Sequence, residues 1–136
     1  MWDDGCPMLD VYTGHRSPNT RQYMKIAVIK YNSGNVQSVL YALERLGADA
    51  ELTDDPEIIR AADKVIFPGQ GEASTAMRYL KERKLDGLIK ELKQPFLGVC
   101  LGLQLLCEHS EENDTECLGV FPVKVKRFVP ENSQEF

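Results

Sequence analysis

From Met24 onward the chain alternates short apolar runs with amphipathic stretches. Ile26-Ala27-Val28-Ile29 is continuously apolar, as expected of a strand buried on both faces of a parallel sheet. Val36, Val39, Leu40, Leu43 and Leu46 follow at helical spacing, and Gly47 stands where a helix end needs a residue tolerant of positive φ. Ala48 to Leu52 reads as a second strand. Asp55-Pro56 places a capping side chain before a proline at the first helical position, which predicts a short helix to about Ala62. Val65-Ile66-Phe67 is a third strand and runs into Pro68-Gly69-Gln70-Gly71. Two apolar stripes, Ala73/Ala76/Met77/Leu80 and Leu85/Leu88/Ile89/Leu92, predict two more helices. Phe96 to Val99 is a fourth strand, leading into an apolar helix from Leu101 to about His109. After a polar loop from Ser110 to Glu116, Val123 and Val125 alternate with Lys124 and Lys126 as in a strand or hairpin. This alternation of strand and helix predicts an α/β fold, a doubly wound and mostly parallel sheet with flanking helices.

Residues 1–23 have neither period. Gly, Pro, Asn, Ser and Thr are scattered through them, so they read as an unpatterned extension in which Trp2 and Cys6 are incidental, with the domain occupying 24–136. The last residues, Pro130 to Phe136, are polar and close no element.

Composition narrows the function classes. With 136 residues, 43% of them hydrophobic and 27% charged, the chain suffices for one domain with a real core. Its formal net charge of −5 argues against a nucleic-acid footprint. The longest apolar runs fall far short of the roughly 18 residues that span a membrane. Asp3 and Asp4 occupy the place where a signal peptide would be basic. The four cysteines (Cys6, Cys100, Cys107, Cys117) form no CxxC pair, so neither a disulfide framework nor a metal site is expected, and a reducing cytoplasm fits best. No phosphate-binding loop is present, and no cofactor is expected.

The segment Gly98-Val99-Cys100-Leu101-Gly102 has the form G-x-nucleophile-x-G, between a predicted strand and a predicted helix. A nucleophile on so tight a turn takes a strained backbone conformation, and side chains two residues either way would crowd the neighbouring strand and helix, hence the glycines. The turn lifts the sulfur above the C-terminal edge of the sheet, where open α/β folds bind ligands. Pro68-Gly69-Gln70-Gly71 follows another strand and reaches the same edge. Acyl transfer needs donors aimed at a developing oxyanion. The backbone N–H of Leu101 and the Gly69–Gln70 loop are candidates.

Taken together, Pro68-Gly69-Gln70-Gly71 and Gly98-Val99-Cys100-Leu101-Gly102-Leu103-Gln104 resemble the class I, triad-type glutamine amidotransferases. The opening Lys25-Ile26-Ala27-Val28-Ile29 through Tyr31-Asn32-Ser33-Gly34-Asn35, followed by a helix, is similar to the glutaminase subunits of imidazole glycerol phosphate synthases, which serve histidine biosynthesis. The resemblance runs from Met24 to about Val129. It implies that Cys100 attacks the carboxamide of L-glutamine and releases ammonia through a glutamyl thioester. It implies oxyanion-hole amides at Gly69, Gln70 and Leu101, substrate contacts at Gln104, and a pocket shaped by Gly71 and Glu72. It further implies a cyclase subunit with a (β/α)₈ barrel as partner, with Asn32 and Asn35 as candidate interface residues. For these two, turn chemistry and helix capping are an equally good reading. Gln70 departs from the small or aliphatic residue expected between the two glycines; the backbone role survives the change.

The resemblance also exposes an absence. A thiol nucleophile of this kind needs a histidine oriented by a carboxylate, which the family takes from a downstream H-P-E stretch. The chain has only His15 and His109. On the predicted helix His109 would lie roughly 13 Å along the axis from Cys100, too far to act as base. The expectation is a polypeptide that carries the nucleophile and oxyanion loop without a competent triad, cut before the catalytic His and Glu. Three alternatives remain: an amidotransferase subunit for anthranilate, carbamoyl phosphate or guanylate synthesis; another cysteine enzyme with a nucleophile elbow; and a non-catalytic binding module.

Overall fold

The computed structural model describes residues 24–130. The expectations placed on Trp2, Cys6 and His15, and the boundary of the extension at residue 23, lie outside the described residues. Four strands form the main sheet: β1 (Lys25–Ile29), β2 (Asp49–Thr53), β3 (Lys64–Phe67) and β4 (Phe96–Gly98), parallel throughout and in the order β2-β1-β3-β4. Five helices connect or follow them: α1 (Val36–Arg45), α2 (Pro56–Ala61), α3 (Ala73–Glu82), α4 (Leu85–Glu91) and α5 (Leu101–Leu105).

Local signals explain these bounds. Asp55 caps α2 by accepting from the Glu57 N–H at 2.8 Å, with Pro56 at the first helical position. Gly47 closes α1 at φ 67°, a conformation that costs a β-carbon-bearing residue dearly.

Alternate residues of the strands feed two apolar clusters. Ala27, Ile29, Val65 and Phe67 face α2 to α5, meeting Ile59, Met77, Leu80, Leu85 and Leu105 among others. Ile26 and Val28 face the other way, towards Leu43 and the half-buried Val36, Val39 and Leu40 of α1. Helices therefore cover both faces, and the sheet is doubly wound. Each fully buried side chain such as Ile29, Phe67, Leu80 or Leu85 stabilises the fold by about 1.5–3 kcal/mol. The chain moves outward from β1 to β2 and then returns past β1 to β3. This reversal opens a crevice at the C-terminal ends of β1 and β3, where ligands of such sheets bind.

The region after Cys100 differs from the sequence expectation. The apolar helix stops at Leu105, with Leu106 as its C-cap, and does not run to His109. Backbone donors from a later segment take over the carbonyls that a continuing helix would use. Leu118 N–H donates to Leu105 O at 2.8 Å, Phe121 N–H to Leu106 O at 2.9 Å, and Gly119 N–H to Cys107 O at 2.7 Å. Hydrophobic periodicity cannot register bonds made to residues more than ten positions away. His109 instead opens β5 (His109–Ser110), which pairs antiparallel with β6 (Thr115–Glu116) and parallel with β7 (Lys124–Val125). The expected polar loop is thus the turn of a small hairpin, with a 3-10 segment at Glu112–Asp114. Of the expected strand around residues 118–128, only Lys124–Val125 pairs.

Candidate active site

Cys100 sits between β4 and α5 with φ 52° and ψ −118°, a conformation that β-carbon-bearing residues rarely adopt. Strain of this kind costs about 1–3 kcal/mol and persists only where the surroundings impose it. The surroundings are close packed. A β-carbon at Gly98 would lie 2.8 Å from Leu103 Cα, and one at Gly102 would overlap the Phe67 carbonyl at the end of β3. The elbow is therefore pressed against both its own helix and the adjacent strand, as the two glycines predict. Val99 N–H donates to Phe67 O at 3.0 Å and fastens the turn to that strand. The Cys100 side chain remains exposed.

Cys107 and Cys117 differ in kind. Cys107 is buried, Cys117 partly so, and burial pushes both thiols up from their ordinary value.

The Pro68–Gly71 loop lies directly against the elbow. Leu101 N–H donates to Gly69 O, at 3.4 Å. The two groups expected to act on an oxyanion thus meet each other, amide hydrogen to carbonyl oxygen. The loop is held from below by Tyr31, which follows β1. Its hydroxyl donates to Pro68 O at 2.6 Å, and its ring packs on Phe67 with centroids 5.1 Å apart. A β-carbon at Gly69 would overlap the Tyr31 hydroxyl, so glycine is required there by close approach. Burial pushes the Tyr31 phenol up to about 12; the nearby Ser33 hydroxyl pulls the other way, and charge on Cys100 adds to the rise. On the far side of the loop, Gly34 N–H donates to Gln70 O at 3.3 Å. Gln70 itself is exposed.

Gln104 lies one turn along α5, its N–H donating to Cys100 O at 3.1 Å. It lines a cavity of about 580 Å³ together with Glu72, Glu111, Glu112, Lys126 and Arg127. Cys100 opens beside α5 rather than forming part of that wall. Both signs of charge are present, which suits a zwitterion. Glu72 accepts from Ser74 Oγ at 2.6 Å and Thr75 Oγ1 at 3.2 Å, and from Asn113 Nδ2; these donors, Ser74 first, hold its carboxyl below the ordinary value. Glu112 Oε2 accepts from Ala73 N–H at 3.4 Å. Glu111 and Glu112 reach this wall through the β5–β6 hairpin, where the sequence predicts a polar loop. Gly71, at φ 124°, turns the chain from the loop into α3.

The remaining expectations fare differently. Asn35 precedes α1 at φ 60°, in the left-handed region that asparagine tolerates. Its side chain caps no backbone N–H; Oδ1 accepts from Ser38 Oγ at 2.5 Å. Asn32 is exposed on the same loop. His109 does not lie on the helix that begins after Cys100, where the sequence predicts it. It lies in the second sheet, paired with Glu116 and Lys124, and its Nε2 is 2.8 Å from Asp114 Oδ1. Among the described residues no cluster of potential metal ligands occurs, and no helix is long and apolar enough to cross a membrane.

Comparison with known proteins agrees with this geometry. The profile of the SNO glutamine amidotransferase family matches residues 31–131. The chain is 60% identical over 112 residues to the imidazole glycerol phosphate synthase subunit HisH of Bacteroides fragilis (strain YCH46), covering 82% of this chain and 57% of that protein. The subunit of the same name from Chromobacterium violaceum is 53% identical over 110 residues, covering 77% and 52% respectively. That of Idiomarina loihiensis is 50% identical over 104 residues, covering 76% and 53%. The chain thus spans little more than half the length of the curated relatives it matches. A solved structure described as a glutamine amidotransferase superposes with a TM-score of 0.63 at 24% identity over 74% of this chain and 56% of that one, and so shares its fold. With its elbow and glycine loop inside the matched span, the chain belongs to the SNO glutamine amidotransferase family.

Proposed function

We propose that Cys100 is the nucleophile of a glutaminase site that serves an imidazole glycerol phosphate synthase. The Cys100 sulfur adds to the side-chain carboxamide carbon of L-glutamine, and negative charge collects on the carboxamide oxygen. The C–N bond then breaks, the nitrogen takes a proton and leaves as ammonia, and a glutamyl thioester remains. Water hydrolyses the thioester to glutamate and restores the thiol. The observation that carries this reading is the strained backbone of Cys100, exposed at the sheet's C-terminal edge against a glycine loop.

The other assignments follow from the same edge. Leu101 N–H and the peptide between Gly69 and Gln70 receive the oxyanion, once that peptide turns its carbonyl away from Leu101. Gln104 binds substrate from the cavity wall, where Glu72, Glu111 and Glu112 suit an ammonium group and Lys126 and Arg127 a carboxylate. Gly71 shapes the entrance. Asn32 and Asn35, exposed on the loop beside Gln70, contact the cyclase subunit that consumes the ammonia, and the pair works in the cytoplasm as a heterodimer.

Among the described residues the one histidine, His109, is engaged with Asp114 in the second sheet. In this reading the base is a histidine other than His109, and the described residues bind glutamine without turning it over. Protection of Cys100 against iodoacetamide tests the reading. L-Glutamine should slow alkylation of Cys100 in a saturable manner while D-glutamine does not; equal protection by both, or by neither, would refute it. Co-purification with the cyclase subunit of the Bacteroides fragilis synthase tests the pathway.

A further inference from the structure

Three successive carbonyls of the glycine loop have unequal partners. Pro68 O accepts the Tyr31 hydroxyl at 2.6 Å inside the protein, and Gln70 O accepts Gly34 N–H at 3.3 Å. Between them, Gly69 O has only the long 3.4 Å bond from Leu101 N–H. Both clamps come from one loop, the segment from Tyr31 to Gly34 after β1. The short, buried bond at Pro68 is the firm anchor of the loop; the two carbonyls beyond it have bonds of only 3.3 and 3.4 Å, which leaves the peptide joining Gly69 to Gln70 room to rotate. Its rotation would remove a carbonyl from the oxyanion position and present the Gln70 N–H instead.

We infer that Tyr31 is a positioning residue for the oxyanion hole: its hydroxyl fixes the Pro68 carbonyl so that the Gly69–Gln70 peptide turns about an anchored base. The inference rests on the glutaminase reading of Cys100. Tyr31 touches no substrate in this account; it acts through the loop. Three features suit it to that task. Its ring is braced on Phe67, at the end of the strand from which the loop springs. Its hydroxyl fills the space that a side chain at residue 69 would need. Its burial keeps water from competing for the Pro68 carbonyl. Without the hydroxyl the Pro68 carbonyl is left without this partner, and the loop can relax into arrangements that aim no donor at the oxyanion.

Two electrophiles separate loop positioning from mere folding. A chloromethyl ketone analogue of L-glutamine reacts by addition of the Cys100 sulfur to the ketone carbon, which places negative charge on its oxygen. The sulfur then moves to the adjacent methylene as chloride departs, and the ketone is restored. Iodoacetamide reacts by direct displacement of iodide and forms no oxyanion. In the full chain, Tyr31→Phe should slow the ketone at Cys100 by about tenfold or more, on the scale of one misplaced oxyanion donor, while iodoacetamide changes less than about twofold. Placing 4-aminophenylalanine at position 31 restores a donor and should recover most of the ketone rate. If Tyr31→Phe does not fold, 4-fluorophenylalanine fills the hydroxyl's space without donating and is compared with the amino variant instead. Equal slowing of both reagents, an unchanged ketone rate, or no recovery with the amino variant would overturn the role of Tyr31 while leaving the glutaminase reading intact. Wild-type protein that labels equally fast with the L and D ketones would overturn that reading and this inference together.

Discussion

Leu101 and Gly69 face each other across the elbow, amide hydrogen to carbonyl oxygen at 3.4 Å. A bond of that length is near the limit of useful geometry. In the proposed glutaminase site it would fill the oxyanion position with a group of the wrong polarity. On that proposal, rotation of the Gly69–Gln70 peptide would open the position to a donor. Because the bonds on either side, at Pro68 and Gln70, are made by the loop after β1, whatever presses on that loop acts on the oxyanion position.

The elbow's packing gives a direct stability test. Gly102→Ala would put a methyl group into the Phe67 carbonyl, and Gly98→Ala would push on the Leu103 backbone. Overpacking against backbone costs about 1–3 kcal/mol or more. Both variants should unfold at clearly lower denaturant concentration than wild type. An unchanged midpoint for Gly102→Ala would contradict the close approach of α5 to β3.

The strain at Cys100 predicts an inverse relation between stability and reactivity. Cys100→Gly relieves a conformation costing about 1–3 kcal/mol, less about 0.5–1 kcal/mol for glycine's greater freedom when unfolded. Cys100→Ala keeps the strain. The glycine variant should therefore melt above the alanine variant, and neither should be labelled at position 100. A glycine variant that melts below the alanine variant would mean the turn is unstrained.

These features divide what the sequence conveys from what it does not. Periodicity and glycine placement located all four strands of the main sheet within one residue or so, because Ile26–Ile29, Val65–Phe67 and their neighbours report burial through their own side chains. The elbow was legible for the same reason: glycines at 98 and 102 record a local steric demand. The end of α5 was not, since Leu118, Gly119 and Phe121 decide it through backbone bonds that carry no residue preference. The place of Glu111 and Glu112 on the cavity wall depends on the same segment, where polarity alone predicts a loop. The clamp by Tyr31 was hidden too. One tyrosine after a strand says nothing about where its hydroxyl ends, although the demand for glycine at 69 is its counterpart.

Tyr31 also predicts a pH dependence. Its phenol is pushed from 10.0 to about 12 in the folded protein, chiefly by burial. The unfolded chain loses this proton first, so between pH 10 and 12 the folded state binds more protons and stability falls as pH rises. A difference of that size is on the order of 2–3 kcal/mol, fully present below pH 10 and lost towards pH 12. Denaturation series from pH 9 to 11.5 should show a steeper alkaline decline in wild type than in Tyr31→Phe. Parallel curves would place Tyr31 in contact with water.

The sheet edge at β4 leaves apolar side chains in solvent: Leu97 is 57% exposed and Leu103 49%, with Val99 and Phe121 also uncovered. Exposed apolar area of this kind recruits hydrophobic dyes and promotes association. The purified chain should bind such a dye in its folded state, and Leu97→Lys with Leu103→Lys should reduce the signal without lowering the melting temperature. Undiminished dye binding in the double variant would locate the apolar surface elsewhere.

The central claim is that one exposed, strained thiol is built to receive glutamine. Peptide mapping by mass spectrometry after brief exposure to the chloromethyl ketone analogue of L-glutamine tests it most directly. A single adduct on Cys100, formed faster than with the D enantiomer and absent from Cys6, Cys107 and Cys117, is the predicted result. Adducts spread over all four cysteines, or formed at Cys100 at the same rate by both enantiomers, would contradict it.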